Sequence, residues 1–199
     1  MKRCYIITSY VEGAFPEIED GEYIICADGG YEVAVSHGLS PDLVIGDSDS
    51  GKMPEMLLFP REKDESDTFL CLKHAVESGY SEIVIIGGIG GRLDHTMSNI
   101  QTLAHFSGRT RSITMIDEKN IVTVAENPGI TIQRKTGFTI SLFSLTDKCC
   151  GVTTKGLYYP LNDAEITNTY PVGLSNLFTA EEANIDIKNG KLLIVMSAE

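Results

Sequence analysis

The sequence predicts an α/β fold in two parts: a mostly parallel, open sheet in an N-terminal domain over residues 1–118, then a small all-β sandwich over residues 119–199. Three observations carry this expectation. Up to about Asp117, short β-branched runs alternate with helical signals, the pattern of a parallel sheet covered on both faces. Beyond Asp117–Asn120, segments of four to eight residues separated by turn residues replace any sustained 3.6-residue periodicity. With 199 residues, 42% of them apolar and 22% charged, the chain has globular composition and room for one average domain plus a smaller one.

In chain order, Arg3–Ser9 (RCYIITS), Glu22–Cys26 (EYIIC), Asp42–Ile45 (DLVI), Glu82–Ile86 (EIVII) and Ser112–Ile116 (SITMI) are runs of the kind buried in parallel sheets. Helices fit between them. Tyr31–His37 stops before Gly38, Ser66–Ser78 stops before Gly79 at a C-cap position, and Thr96–Phe106 places Met97, Ile100, Leu103 and Ala104 on one face. In the second domain IVTVAE, GITIQR, FTISLFSL, GVTTKGLYY, NIDIKN and KLLIVM read as strands. Asn189-Gly190, between NIDIK and KLLIVM, predicts a two-residue hairpin, because both central positions of a type I′ turn need positive φ.

Sixteen Lys and Arg against 28 Asp and Glu give a formal charge of −12. Without a basic run longer than a scattered pair, this argues against a nucleic-acid partner. The N-terminal stretch lacks the apolar core of a signal peptide, and the longest apolar runs, such as Leu192–Met196, are strand-length. No membrane partner is therefore expected, and the expected location is cytoplasmic. Five cysteines make an odd count without C-x-x-C spacing. Cys4, Cys26 and Cys71 sit in apolar runs as buried thiols, and Cys149 and Cys150, as strand neighbours, face opposite sides.

The acids fall in a telling place. Asp28 ends IICAD, Asp47 and Asp49 follow LVIG, and Asp94 follows IVIIGGIGGRL. In an open α/β sheet, ligands bind outside the carboxyl ends of the strands, so these acids point toward one cleft. With Asp64 and Asp67 of KDESD they would repel one another unless a cation neutralised them, and oxygen ligands of this kind suit Mg²⁺ bridging to substrate phosphates. Taken singly, each Asp also suits a helix cap or a turn, and Ser66 or Asp67 would cap the helix that follows.

The run Gly87-Gly88-Ile89-Gly90-Gly91-Arg92 lets backbone amides approach phosphate, with Arg92 as a bidentate donor. It lacks both the P-loop and the dinucleotide spacing, and a tight turn needs the same glycines. Of the four histidines none are three or four residues apart, which gives no zinc pair, and His95 beside Asp94 alone joins the acidic set. The residues themselves admit a polyphosphate-handling enzyme, a metal-dependent phosphohydrolase, or a sensor that binds nucleotide without turnover.

Read together, ADGG (Ala27–Gly30), PDLVIGDSDS (Pro41–Ser50), KDESD (Lys63–Asp67) and GGRLDHTMSN (Gly90–Asn99) resemble the ordered motif series of thiamine pyrophosphokinases. In the second domain Thr154–Leu161 matches T-x-G-L-x-Y-P-L, and Gly173–Asn176 matches a short S-N element. The resemblance implies transfer of pyrophosphate from ATP to the hydroxyl of thiamine with Mg²⁺, in a homodimer with active sites between the N-terminal domain of one subunit and the C-terminal domain of the other. By motif position, Asp47, Asp49, Asp67 and Asp94 match the metal-binding and catalytic acids. Asp28, Gly29, Gly30, Lys63, Asp64, Gly90, Gly91, Arg92, His95, Thr96 and Asn99 fall in the nucleotide and phosphate region, and Ser175 and Asn176 on the thiamine side. A related enzyme acting on a hydroxymethyl pterin shares part of the first motif set, and the complete β-domain favours thiamine.

Overall fold

In the computed structural model, which describes residues 2–46, 56–58 and 64–198, the chain divides into two units, Met1–Glu118 and Lys119–Glu199. The first contains β1 (Arg3–Ile7), β2 (Tyr23–Ala27), α1 (Gly30–Ser36), β3 (Leu43–Gly46), β4 (Met56–Leu58), α2 (Asp67–Glu77), β5 (Glu82–Ile86), α3 (Leu93–Phe106) and β6 (Ser112–Ile116). Its strands run in the order β4-β3-β2-β1-β5-β6 and every pairing is parallel. The chain moves outward from β1 through β2, β3 and β4, then returns to pair β5 with the other side of β1. The order therefore reverses at β1, which is where such sheets open a crevice for ligands.

Parallel strands covered on both faces are apolar throughout, and β1 accordingly buries Cys4, Tyr5, Ile6 and Ile7 in succession. On one face Tyr5, Ile7, Ile24, Cys26, Val44 and Ile86 pack around Ala34 of α1, with Phe15 and Ile18 at the margin. Helix α2 packs against β1, β2 and β3 and against α3, burying Leu70, Cys71, Leu72 and Ala75. Ser66 is the residue that caps α2, its Oγ accepting the Phe69 N–H at 3.2 Å. Three-residue β4 escapes sequence reading.

Helix α3 begins at Leu93, three residues before the predicted Thr96, and its inward face differs from the expected one. Asn99, Thr102, Leu103 and Phe106 are buried, whereas Met97 is 51% exposed. The polar pair goes inside because it is satisfied there: Asn99 Nδ2 donates to the Gly88 carbonyl at 2.9 Å and Thr102 Oγ1 to the Ser98 carbonyl at 2.9 Å. Apolar spacing alone misplaces that face.

The second unit holds β7 (Asn120–Ala125), β8 (Gly129–Gln133), β9 (Phe138–Ser144), β10 (Lys148–Lys155), β11 (Ala164–Thr167), β12 (Glu182–Asp186) and β13 (Leu192–Ala198). They form two antiparallel arrays, β7-β13-β9 and β11-β10-β12-β8. Between them lies one core, with Ile140, Leu142, Ile194 and Met196 from the first array and Cys149, Val152, Ile166 and Ile185 from the second.

The predicted Asn189-Gly190 hairpin does not form. Strands β12 and β13 lie in different arrays, and only Gly190 has positive φ, at 100°, so a type I′ turn is ruled out. Asn189 instead bridges to Cys150, whose N–H donates to the Asn189 carbonyl at 2.9 Å. Alternation specifies that two successive strands each have an apolar face. It does not say whether those faces lie side by side or oppose each other across a core, and here they oppose.

All five cysteines are free. Burial pushes the Cys4 and Cys26 thiols up to about 12. Cys149 faces the core, accepting from Ser144 Oγ at 3.2 Å, while Cys150 on the opposite side is half-buried. Among the described residues, no helix is long and apolar enough to cross a membrane.

Candidate active site

The carboxyl ends of β1 and β2 and the amino ends of α2 and α3 enclose a cleft of about 490 Å³, lined by Thr8, Ser9, Ala27, Asp28, Glu65, Ser66, Asp67, Thr68, Asp94, His95, Ser98 and Asn99. That volume lies in the range of small-molecule sites.

Asp28 is placed by a tight change of direction. Its N–H extends the β2–β3 pairing by donating to the Ile45 carbonyl at 2.9 Å, its φ is 42°, and its carbonyl accepts the Tyr31 N–H at 3.1 Å as α1 starts. Asp tolerates this left-handed conformation better than a β-branched residue. Gly30 follows because a Cβ there would collide with the Ile7 carbonyl oxygen at the end of β1. The glycines of ADGG thus let α1 start directly beside β1, which brings Asp28 next to Thr8 and Ser9.

The glycine run is pinned from two sides. The Gly87 N–H donates to the Ile116 carbonyl at 2.8 Å and the Gly88 N–H to the Tyr10 carbonyl at 2.9 Å, while the Gly88 carbonyl accepts from Asn99. Those two amides are consequently engaged, and the later glycines lie against the Tyr10 ring, whose phenol takes a backbone hydrogen bond from Gly91. Thr96 Oγ1 donates to the Gly90 carbonyl at 3.2 Å, tying α3 to the same turn.

Asp94 in the first turn of α3 is held by Arg92 in a fork: Nη2 lies 2.6 Å from Oδ2 and Nε 3.1 Å from Oδ1. Oδ1 also accepts the His95 N–H at 2.9 Å. The hydrogen bonds from Arg92 hold the Asp94 carboxyl below its ordinary range and in turn raise the guanidinium. Asp67, in the first turn of α2, sits where the helix dipole favours an anion.

Asp28, Asp67, Asp94, His95 and Asn99 are therefore brought to one cleft. Gly29 and Gly30 follow Asp28 into α1, Gly90, Gly91 and Arg92 form the turn into α3, and Thr96 lies in the first turn of that helix. Asp64 lines a neighbouring groove of about 270 Å³ with Glu65, Ser66 and Phe69. Asp47, Asp49 and Lys63 lie outside the described residues. Thr8, Ser9, Thr68 and Ser98 also line the cleft without having been singled out in the sequence. Thr8 and Ser9 carry the same signal as Asp28, being polar residues directly after an apolar strand.

Ser175 and Asn176 belong to the second unit. Ser175 is exposed with φ 54°. Asn176 is buried, and its amide is turned inward: Oδ1 accepts from Tyr159 N and Leu177 N at 3.0 and 2.9 Å, and Nδ2 donates to the Tyr159 carbonyl at 2.8 Å.

Among the described residues, no group of three or more His, Cys, Asp or Glu is spaced to hold a metal ion. The donors of the cleft are hard oxygens, with carboxylates at Asp28, Glu65, Asp67 and Asp94 and no Lys or Arg in its described lining. This chemistry fits Mg²⁺, which keeps several waters and needs only one or two carboxylates beside substrate phosphates.

Residues 16–116 match the family described as thiamin pyrophosphokinase, catalytic domain, and residues 129–193 match thiamin pyrophosphokinase, vitamin B1 binding domain. The chain belongs to the thiamin pyrophosphokinase family. Among its relatives, thiamine pyrophosphokinase of Bacillus subtilis is 25% identical over 214 aligned positions, covering 100% of both chains. Thiamine pyrophosphokinase 1 of rice, Oryza sativa subsp. japonica, is 25% identical over 197 positions, covering 81% of this chain and 74% of that protein. The crystal structure of the Bacillus subtilis thiamine pyrophosphokinase superposes with a TM-score of 0.90 over 100% of both chains. Yeast thiamin pyrophosphokinase keeps the fold at 15% identity, with a TM-score of 0.76 over 98% of this chain and 86% of that one. The catalytic-domain match contains the cleft lining from Ala27 to Asn99, and the vitamin B1 match contains Ser175 and Asn176.

Proposed function

We propose that the protein transfers pyrophosphate from ATP to the hydroxyl of thiamine, giving thiamine pyrophosphate and AMP. The observation that supports this most is the acidic cleft at the strand-order reversal, lying in the segment that matches the catalytic domain of the family.

In this reading the thiamine hydroxyl oxygen attacks the β-phosphorus, the bond from the β-phosphorus to the oxygen bridging it to the α-phosphate breaks, and AMP leaves with that oxygen. Such transfers demand mainly positioning and charge stabilisation. Asp67 and Asp94, with Asp47 and Asp49, would hold Mg²⁺, which when bound supplies positive charge that a cleft lined by carboxylates otherwise lacks. Asp67 or Asp94 accepts the hydroxyl proton. Arg92 and Lys63 add donors to the phosphates, and Asn99, through its bond to Gly88, keeps the glycine turn and the start of α3 in register. Asp28, Gly29, Gly30, Asp64, His95 and Thr96 complete the nucleotide side, with Ser175 and Asn176 on the thiamine side. The working unit in this proposal is a homodimer with its active sites at the interface.

One incubation tests the reading. With ATP, Mg²⁺ and thiamine, AMP and thiamine pyrophosphate are expected in equal amounts. Phosphate release without AMP would mean a phosphohydrolase, and binding without products a sensor. Faster AMP formation with a hydroxymethyl pterin would move the acceptor away from thiamine.

A further inference from the structure

The glycine run that the sequence offers to phosphate is covered by a tyrosine. Tyr10 follows the cleft-lining Thr8 and Ser9, and its ring lies against Gly90 and Gly91, where a Cβ on either glycine would stand 3.1–3.2 Å from ring carbons. Both glycines have positive φ, 81° and 60°, so backbone conformation and ring contact demand glycine together. The Gly91 N–H donates to the phenol oxygen, and the phenol donates to Glu12 Oε2 at 3.3 Å. The backbone of Tyr10 is itself fixed. Its carbonyl accepts the Gly88 N–H at 2.9 Å and lies 3.1 Å from Thr8 Oγ1, and the adjacent Val11 packs against the core cluster that holds Ile7 and Ile86. Tyr10 is 42% exposed and lies outside the hydrophobic core. Gly90 is held from the other side as well, through the Thr96 hydroxyl on its carbonyl at 3.2 Å, and directly past the glycines Arg92 grips Asp94.

We infer that Tyr10 is a positioning residue for Asp94: its ring clamps Gly90 and Gly91, and the clamped turn delivers Arg92 and Asp94 to the cleft. The inference rests on the proposed activity, in which Asp94 holds the metal ion or accepts the hydroxyl proton. Chemistry favours a clamp here over a phosphate cradle. The Gly91 amide is engaged by the phenol, and Glu12 sets a carboxylate oxygen beside Gly90, 3.1 Å from where a Cβ would stand. A polyphosphate arriving at that point would meet like charge. Two successive glycines give a turn the greatest backbone freedom a sequence can supply, and a flat ring seated on both removes it. The carboxylate of Asp94 is thereby kept in one place before substrate arrives, and a displacement of about 1 Å in such a group costs about 10²-fold in rate.

The test joins steady-state kinetics to amide exchange followed by NMR, on the full chain. Tyr10→Ala should lower kcat about 10- to 100-fold while the KM for ATP stays within about threefold. Tyr10→Phe, which keeps the ring and loses one hydrogen bond, should stay within about fivefold of the parent. Because Tyr10 acts through Asp94, adding Tyr10→Ala to Asp94→Asn should lower kcat no further, whereas a merely structural role would multiply the two losses. Urea unfolding checks that each variant is folded under assay conditions, and Tyr10→Leu replaces Tyr10→Ala if the latter is not. Independently of turnover, the Gly91 amide should exchange slowly in the parent and lose that protection in Tyr10→Phe and Tyr10→Ala. A parent-like kcat in Tyr10→Ala overturns the inference, and so do multiplied losses in the double variant. A lowered KM for ATP in Tyr10→Ala also overturns it, since the ring would then be a plug that phosphate must displace. If the parent forms neither AMP nor thiamine pyrophosphate, the proposed activity falls and takes the role at Asp94 with it, while protection of Gly91 still decides whether the clamp exists. If the parent turns over and Tyr10→Ala matches it, only the positioning role falls.

Discussion

Replacing Asp94 by Asn separates a catalytic role from a structural one. Asn has nearly the same size and keeps an oxygen able to accept the His95 N–H, now made at 2.9 Å. What disappears is one negative charge, gripped by Arg92 at 2.6 and 3.1 Å in a pair whose side chains are 72% and 64% exposed. Ion pairs this open to water contribute little to folding, so the urea midpoint should stay essentially unchanged. Turnover should respond differently. If the carboxylate helps hold Mg²⁺ on the polyphosphate or accepts the hydroxyl proton, its loss removes a positioned charge from the reacting centre, and kcat should fall about 10²- to 10³-fold. AMP release with saturating ATP, Mg²⁺ and thiamine measures one quantity and urea unfolding followed by circular dichroism the other. Turnover within tenfold of the parent would refute the catalytic assignment, and a collapse of the urea midpoint would refute the claim that the Arg92–Asp94 pair is structurally minor.

Three further perturbations test the fold around the site. Gly30→Ala should cost about 2–4 kcal/mol, because its Cβ overlaps a strand carbonyl that cannot move aside, whereas Gly29→Ala meets only Ser9 Cβ at 3.2 Å and should cost far less; equal urea midpoints for the two variants would contradict this geometry. An uncharged maleimide should label Cys150 first in the native protein and the four buried thiols only on unfolding, as read by mass spectrometry of peptides, and earlier labelling of Cys149 would reverse the assignment of faces on β10. The third concerns pH: the Lys148 hydrogen bond holds the Glu165 carboxyl below its ordinary 4.5. A depressed carboxylate stabilises the fold above its unfolded pKa, and that contribution is lost as pH falls through the folded value. The parent should therefore exceed Glu165→Gln slightly in urea midpoint above about pH 4.5 and converge with it in more acidic solution; a gap that widened toward acid would show the sign to be wrong.

Legibility of this fold tracks how local each signal is. EIVII and SITMI are β5 and β6 to the residue, because a continuous apolar run bounded by turns has few alternatives. Strand β11 was not legible: AEIT buries only Ile166 and owes its existence to pairing with β10. Met97 looked inward by spacing and is exposed, because Asn99 and Thr102 find hydrogen-bond partners inside that a periodicity argument cannot foresee. The acids of the cleft were legible through a topological rule, since polar residues after strands of a parallel sheet gather at one edge. Thr8 and Ser9 obey that rule as fully as Asp28, but their run reads as strand through Ser9, whereas β1 ends at Ile7 and frees both for the cleft.

By itself the sequence determined the two-part organisation, the meeting of Asp28, Asp67 and Asp94 at one crevice, and the motif series that goes with the family. These depend on residue order and short-range periodicity, which the chain carries in one dimension. Only the tertiary structure decided that β12 and β13 oppose each other rather than pair, that Arg92 grips Asp94, that Gly30 clears the Ile7 carbonyl, and that Asn176 turns inward to hold Tyr159. Each of these depends on which distant groups satisfy a buried amide, carbonyl or carboxylate, and partners of that kind exist only once the sheets have packed.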